Sequence, residues 1–215
     1  MVAFKEVEVS EREPLAGLPF LGPVILDRYF TKEDFIKIAS RYPDLQMERE
    51  NDGTISVMSP VKSGSGLRES IVLIYLGAWW LQTKQGQTFS SATGIELADT
   101  SIKSPDCAWV SPERYAQVTP EEEESDFLQV APDFVVEVRS QSDRISKLKK
   151  KMSDAWIKNG VRLGWLIDPY NEKAYIYRAN GEVETISGFE GKKLLGEDVM
   201  PGMELPLDEL RIRKA

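Results

Sequence analysis

Apolar positions recur along the chain at two spacings, and each spacing predicts an element. Phe35, Ile38, Ala39 and Tyr42 follow helical intervals behind Thr31 and Asp34, which are placed for helix capping, and Pro43 ends the run. Met47–Glu50 and Thr54–Met58 flank Asn51-Asp52-Gly53, a hairpin signal. Lys62-Ser-Gly-Ser-Gly66 reads as a flexible loop. It leads into a helix over about residues 67–84, closed by Gly86, that carries the most apolar stretch of the chain, SIVLIYLGAWWL from Ser70 to Leu81. Phe89 to Leu97 predicts one or two short strands broken by Gly94, and Cys107-Ala-Trp-Val110 a strand entered through Pro105-Asp106. Phe134-Val-Val-Glu-Val138 has the β-branched composition of a buried strand. Ser140 to Asp143 then supply capping residues for a helix that reaches Lys158 and stops at Asn159-Gly160. Strands follow at Leu163–Ile167, at Ala174–Tyr177 and, as a hairpin partner, after Asn180-Gly181. The tail from 199 onward, interrupted by proline, predicts irregular packing. Residues 1–26 predict an extended arm and residues 27–215 a single α/β domain, a mixed central β-sheet flanked by α-helices.

The apolar stretch is twelve residues long, whereas a membrane-spanning helix needs about 20, so no membrane partner is expected. The first residues lack a basic start followed by an apolar run, which predicts a cytoplasmic protein with a reduced thiol. Composition then removes most nucleophilic chemistry. The 215 residues include no histidine and one cysteine, Cys107. That excludes Ser-His-Asp and Cys-His systems, histidine bases, His-ligated zinc and an intrachain disulfide. Carboxylates, lysines and a bound metal remain.

Glu137 lies inside the apolar run Val135-Val136-Glu137-Val138. A carboxylate buried there must be paired, protonated or metal-bound. Together with Asp106 on a neighbouring strand it could share a hard cation, Mg²⁺ or Mn²⁺, able to activate water and to stabilise charge on a phosphate. Alternation puts Val135, Glu137 and Arg139 on one strand face, so a plain salt bridge between Glu137 and Arg139 is the competing reading. The segment from Arg139 to Arg162 holds eight basic and two acidic residues. It is a +6 island in a chain of net charge −8, which leaves −14 on the remainder. Such an island predicts a polyanion-facing surface, or a solvated helix face paired with the acidic run Glu121–Glu124. At about 100° per residue, Ile145, Leu148, Met152, Ala155 and Trp156 form the core stripe of this helix. Lys150 then points to solvent, while Lys149 and Lys151 flank the stripe, each able to bury its stem and present its ammonium to the end of the sheet.

Three motifs, Ser104-Pro-Asp-Cys-Ala-Trp-Val110, Pro132-Asp-Phe-Val-Val-Glu-Val-Arg-Ser140 and Asn159-Gly-Val-Arg-Leu-Gly-Trp-Leu-Ile-Asp-Pro169, resemble the Uma-type endonucleases. That family is expanded in cyanobacteria and is placed in the restriction-endonuclease-like PD-(D/E)XK superfamily. Tyr42-Pro-Asp-Leu45, Met58-Ser-Pro60 and Thr93-Gly94 add to the resemblance, which spans about residues 27–210. It implies a restriction-endonuclease-like fold and a DNA endonuclease. Its metal ligands would be Asp106, Glu137 and the Val138 carbonyl, and its catalytic residues Asp106 and Glu137 with Lys151 or Lys149. Arg139 stands where the superfamily pattern has lysine, so the lysine is expected from the following helix; Lys151-Met152 matches best, although the run from Lys151 to Trp156 is one residue longer than the family pattern. Glu48 resembles a recurrent family glutamate, either an accessory to the metal site or a cap on the sheet. Arg139 and Arg144, with Lys62 or Arg68, are candidate phosphate contacts. Two other readings stand beside the nuclease: a catalytically silent nucleic-acid or protein binding module on the same fold, and a homodimer formed through the aromatic helix around Trp79 and Trp80.

Overall fold

The computed structural model describes residues 24–212, so the expected arm lies outside the described residues except for its last three. These form strand β1 (Val24–Leu26). Helix α1 (Lys32–Arg41) opens with a reciprocal cap: the Thr31 hydroxyl accepts from the Asp34 N–H at 3.1 Å, and the Asp34 carboxylate from the Thr31 N–H at 3.2 Å. Strands β2 (Gln46–Arg49) and β3 (Ile55–Met58) form the predicted hairpin, with Gly53 at φ +83° in the turn.

Helix α2 (Ser63–Thr83) begins earlier than its sequence predicts. The Ser-Gly-Ser-Gly run is its first turn rather than a loop. Low intrinsic propensity is overridden there by burial of Ser65 and Arg68, and Arg68 donates to the carbonyls of Gly64 (2.6 Å) and Leu210 (3.0 Å). The helix ends at Lys84, in the left-handed region at φ +54°, and not at Gly86. Strands β4 (Gln87–Ser90) and β5 (Ile95–Glu96) follow, then β6 (Ile102–Lys103) and β7 (Cys107–Val110). Two short helices come next, α3 (Pro112–Tyr115) and α4 (Pro120–Ser125); the acidic run is the first turn of α4, where it faces the positive end of the helix dipole.

Strand β8 (Phe134–Val138) leads to helix α5 (Ile145–Lys150), which continues as a π-helical turn over Lys151–Trp156 and a 3₁₀ turn over Ile157–Asn159. Gly160, at φ +99°, ends it. Strands β9 (Leu163–Asp168), β10 (Lys173–Arg178) and β11 (Val183–Ser187) form a meander, and β12 (Lys193–Leu195) with β13 (Glu204–Pro206) a small ribbon.

Six strands make a mixed central sheet in the order β11-β10-β9-β8-β7-β4, in which β8 and β9 alone run parallel, with the α5 segment as their crossover. Where one sheet was expected there is also a second, antiparallel one, β1-β3-β2-β6-β5. Residues 104–106 carry the chain from β6 in that sheet to β7 in the central one.

Alternation along β8 divides the core. Phe134, Val136 and Val138 pack with Val72, Leu76 and Trp79 of α2 and with Leu205, Leu207 and Leu210, so the C-terminal tail is part of the core. Val135 packs on the opposite side with Met152, Trp156, Leu166 and Tyr175. A third cluster, including Phe35, Met47, Ile55 and Ile102, lies between α1 and the second sheet. Trp79 is buried edge-to-face against Trp109 at 5.5 Å and belongs to the core. Among the described residues no helix is long and apolar enough to cross a membrane.

Candidate active site

Four elements converge where the chain passes between the sheets. β2 supplies Glu48, β6 and the passage from it to β7 supply Lys103 and Asp106, β8 supplies Glu137, and the π-helical turn supplies Lys151 and Trp156. Cys107 pairs with Val136 across β7 and β8, and the Asp106 N–H donates to the Val136 carbonyl at 3.0 Å, which sets Asp106 beside Glu137. The Val138 N–H donates to Asp106 Oδ2.

Lys151 Nζ lies 2.8 Å from Glu137 Oε1, 2.8 Å from Glu48 Oε1 and 3.1 Å from the Ser104 carbonyl oxygen. Trp156 Nε1 donates to the same Glu137 Oε1 at 2.8 Å. Glu48 also accepts from the Ser104 N–H at 3.0 Å and pairs with buried Lys103 at 3.3 Å. The π-helical turn accounts for how Lys151 and Trp156, five residues apart, both reach Glu137. In an α-helix, residues five apart point about 140° away from each other. A π turn accommodates one more residue and brings both side chains to one side.

Helical geometry left Lys149 and Lys151 open; only Lys151 reaches the carboxylates. Lys149 Nζ stands 3.9 Å from the centre of the Tyr175 ring, on the other flank of the helix. Arg139 does not pair with Glu137. It lies just past the end of β8, where its guanidinium is 3.1 Å from both Asp168 oxygens. Arg144 is exposed at the head of α5, and Lys62 is exposed before α2. Arg68 is buried and bonded to carbonyls, which removes it as a phosphate contact. The motif acids Asp133 and Asp168 are structural: Asp133 accepts from the Ser111 N–H beside Arg114 and Arg162, and Asp168 accepts from the N–H groups of Tyr170 and Asn171.

Three participants were not singled out from sequence. Trp156 counted only as core. Lys103 sits in a two-residue strand with no periodicity to announce it. Glu69 had a readable signal, because it falls on the helical stripe of Ser65, Val72 and Leu76, which are buried. An acidic residue on a core stripe calls for a partner.

Charge in the site is unbalanced. Burial, then repulsion by Glu137 and Glu69, holds the Asp106 carboxyl well above the usual carboxylate range. Burial also raises Glu137, against the pull of Lys151 and with Glu48 adding to the rise. Half-buried Glu69 is raised by burial, Asp143 and Glu137. Glu48 is the exception: burial alone would raise it, but Lys151 and Lys103 bring it below its ordinary value. Burial pushes Lys151 down, and Glu137 and Glu48 together more than reverse that, so it stays protonated.

Among the described residues no three acidic or sulfur side chains converge into a closed metal cage. Asp106 and Glu137 fit the open kind of site instead. Each has one oxygen engaged by the protein and a second available as a hard ligand, and small divalent cations bind through one or two carboxylates with water and substrate completing the shell.

Paired acidic side chains next to the partly buried Lys151, at the margin of a mixed sheet, mark a nuclease-like class of α/β protein. The sequence pattern of the Uma2 family, described as "Putative restriction endonuclease", matches residues 32–208, and the chain belongs to that family. The crystal structure of "a putative nuclease belonging to DUF820" from Anabaena variabilis ATCC 29413 is similar with a TM-score of 0.69 at 20% identity, covering 84% of this chain and 97% of that one. This likeness shows the restriction-endonuclease-like fold. No curated protein matches the sequence.

Proposed function

We propose that the protein is an endonuclease that hydrolyses DNA phosphodiester bonds with Mg²⁺ or Mn²⁺ held by Asp106, Glu137 and the Val138 carbonyl. The observation that carries this reading is the placement of two carboxyl groups, Asp106 and Glu137, side by side at the end of β8, each with one oxygen held by the protein and a second left for a cation. A divalent ion there would supply an activated water and charge stabilisation at the phosphate. Lys151, protonated and steered by Glu48, donates to the water or to a phosphate oxygen and does not act as a base. Glu48 is then a positioning residue for Lys151. Arg144 and Lys147, exposed on the adjoining helix, meet the DNA backbone. We also place the protein in the cytoplasm; buried Cys107, its thiol pushed up by burial, is inert there.

The test is nicking of supercoiled DNA by purified protein with Mg²⁺ or Mn²⁺, beside Asp106→Ala and Glu137→Ala, each checked for folding by circular dichroism. Metal-dependent nicking that both folded variants lose is the expected result. Cleavage surviving in both would overturn the site. Salt-sensitive DNA binding without cleavage, and without calorimetric uptake of Mn²⁺, would leave the silent binding module, a reading favoured by the fact that three acceptors already surround the Lys151 ammonium.

A further inference from the structure

We propose that Trp156 is a positioning residue for Glu137, and that the π-helical turn Lys151–Trp156 exists to bring its indole N–H and the Lys151 ammonium onto one oxygen of that carboxylate. The inference rests on the metal-dependent reading above.

The five tryptophans provide an internal comparison. Trp79, Trp80 and Trp109 donate their indole N–H to the main-chain carbonyls of Pro201, Gly86 and Gln85. Trp165 Nε1 is buried without a hydrogen-bond partner among the described residues. Trp156 alone among them donates to a carboxylate, at 2.8 Å, from a ring with no solvent exposure. The bond is therefore not what this protein does with a buried indole by default.

Its chemistry suits a metal ligand. The indole N–H is a permanent, uncharged donor. It fixes Glu137 Oε1 without repelling a cation, as a second lysine would, and leaves Oε2 as the oxygen that would bind an ion. Lys151 on the same Oε1 completes the hold. The turn is also seated firmly. Met152, fully buried, lies so close to β9 that a Cβ added at Gly164 would stand 2.4 Å from its Cε. Between Met152 on the sheet and the left-handed Gly160 the helix takes up one residue more than α spacing would, as a π turn. With α spacing, Lys151 and Trp156 would diverge and only one could reach Glu137.

Trp156→Phe keeps the ring and removes the donor. Loss of a partner that orients a metal ligand lowers affinity about 10–100-fold. Calorimetric Mn²⁺ titration of folded Trp156→Phe is expected to show about a tenfold weaker ion, with metal-free DNA binding unchanged and with kcat reduced more than KM. Mn²⁺ affinity equal to that of wild type in the folded variant overturns the positioning role and leaves the nuclease reading standing. If wild type itself takes up no Mn²⁺, the nuclease reading fails and this inference with it. Should Trp156→Phe not fold, Glu137→Gln reports from the other partner. Among the indole N–H resonances of ¹⁵N-labelled protein, one is expected to move relative to wild type; an unchanged indole spectrum overturns the assignment.

Discussion

The Lys151 ammonium is shared by two buried carboxylates, Glu137 and Glu48, and only Glu48 has a second cation, Lys103; everything predicted at the scale of the residue turns on how little positive charge the site holds. Removing it leaves Glu48 and Glu137 buried with one fewer cation, and breaking a buried pair in this way costs about 3–5 kcal/mol. Lys149, two residues earlier, makes a cation–π contact with Tyr175 worth about 0.5–1 kcal/mol. Lys151→Ala is therefore expected to lower the urea midpoint severely and to abolish cleavage, while Lys149→Ala is slightly destabilised and fully active. Equal effects in the two variants would refute the placement. The carboxylates make a second prediction, for protein held metal-free. Asp106 and Glu137, raised by burial, keep protons in the folded state that the unfolded chain has already released. Their contribution to stability therefore falls as pH rises from the ordinary carboxylate range through their raised folded values. Glu48, lowered, contributes stability that is present above the ordinary range and lost as pH falls through its folded value. Lys151, raised, contributes at all pH values below its ordinary range, so it adds no slope near neutrality. Asp106→Asn is expected to be more stable than wild type by about 1 kcal/mol near neutral pH, with the gain shrinking toward about pH 4. Thermal melts of both proteins across that range measure the difference, and a difference independent of pH would refute it.

At the scale of elements, what could be read in advance was whatever is encoded by neighbours in sequence. The capped start of α1, the Gly53 hairpin and the β-branched run of β8 each carry their own local signal, and each forms. The elements that escaped are those decided by partners far away. Ser63–Gly66 is helical because Arg68 ties that turn to Leu210 at the other end of the chain. β6 is two residues long and exists through its pairing with β2 and β5. The candidate site divides in the same way. Glu137 and Asp106 stand out because a carboxylate in an apolar run, or at its mouth, is costly wherever the strand goes. The choice between Lys149 and Lys151 was beyond helical periodicity, which places both beside the core stripe; it is settled by the side chains met on each flank, Glu137 of β8 for one and Tyr175 of β10 for the other. Trp156 escaped because an aromatic on a core stripe shows nothing of the acceptor its N–H will find. The π turn left one trace, a spacing one residue too long, and that trace acquires a meaning only when the geometry is seen.

For the molecule as a whole, electrostatics decides from which side a polyanion can approach. The chain carries −8 overall, so a polyanion such as DNA would be repelled by most of its surface and attracted by the segment between Arg139 and Arg162. Within that segment Arg139 is committed to Asp168 and Lys149 to Tyr175. Lys147 is exposed and stands four residues before Lys151, on the same helical row as the lysine that enters the site, and exposed Arg144 is the N-cap residue of that helix. A backbone following this row would arrive at Asp106 and Glu137. Each phosphate neutralised contributes about −0.9 to the slope of log affinity against log salt for duplex DNA. The double substitution Arg144→Gln, Lys147→Gln is therefore expected to make that slope shallower by about two and to weaken binding at least tenfold near 0.1 M salt. Both side chains are exposed, so stability should change by no more than about 0.5 kcal/mol. Lys158→Gln, two turns further on and paired with Asp154, is the control and should leave the slope unchanged. Fluorescence anisotropy with a labelled duplex over a salt series separates the outcomes. A slope that shifts with Lys158 and not with Arg144 and Lys147 would put the DNA on the far end of the helix, out of reach of the carboxylates, and the nuclease geometry would have to be abandoned.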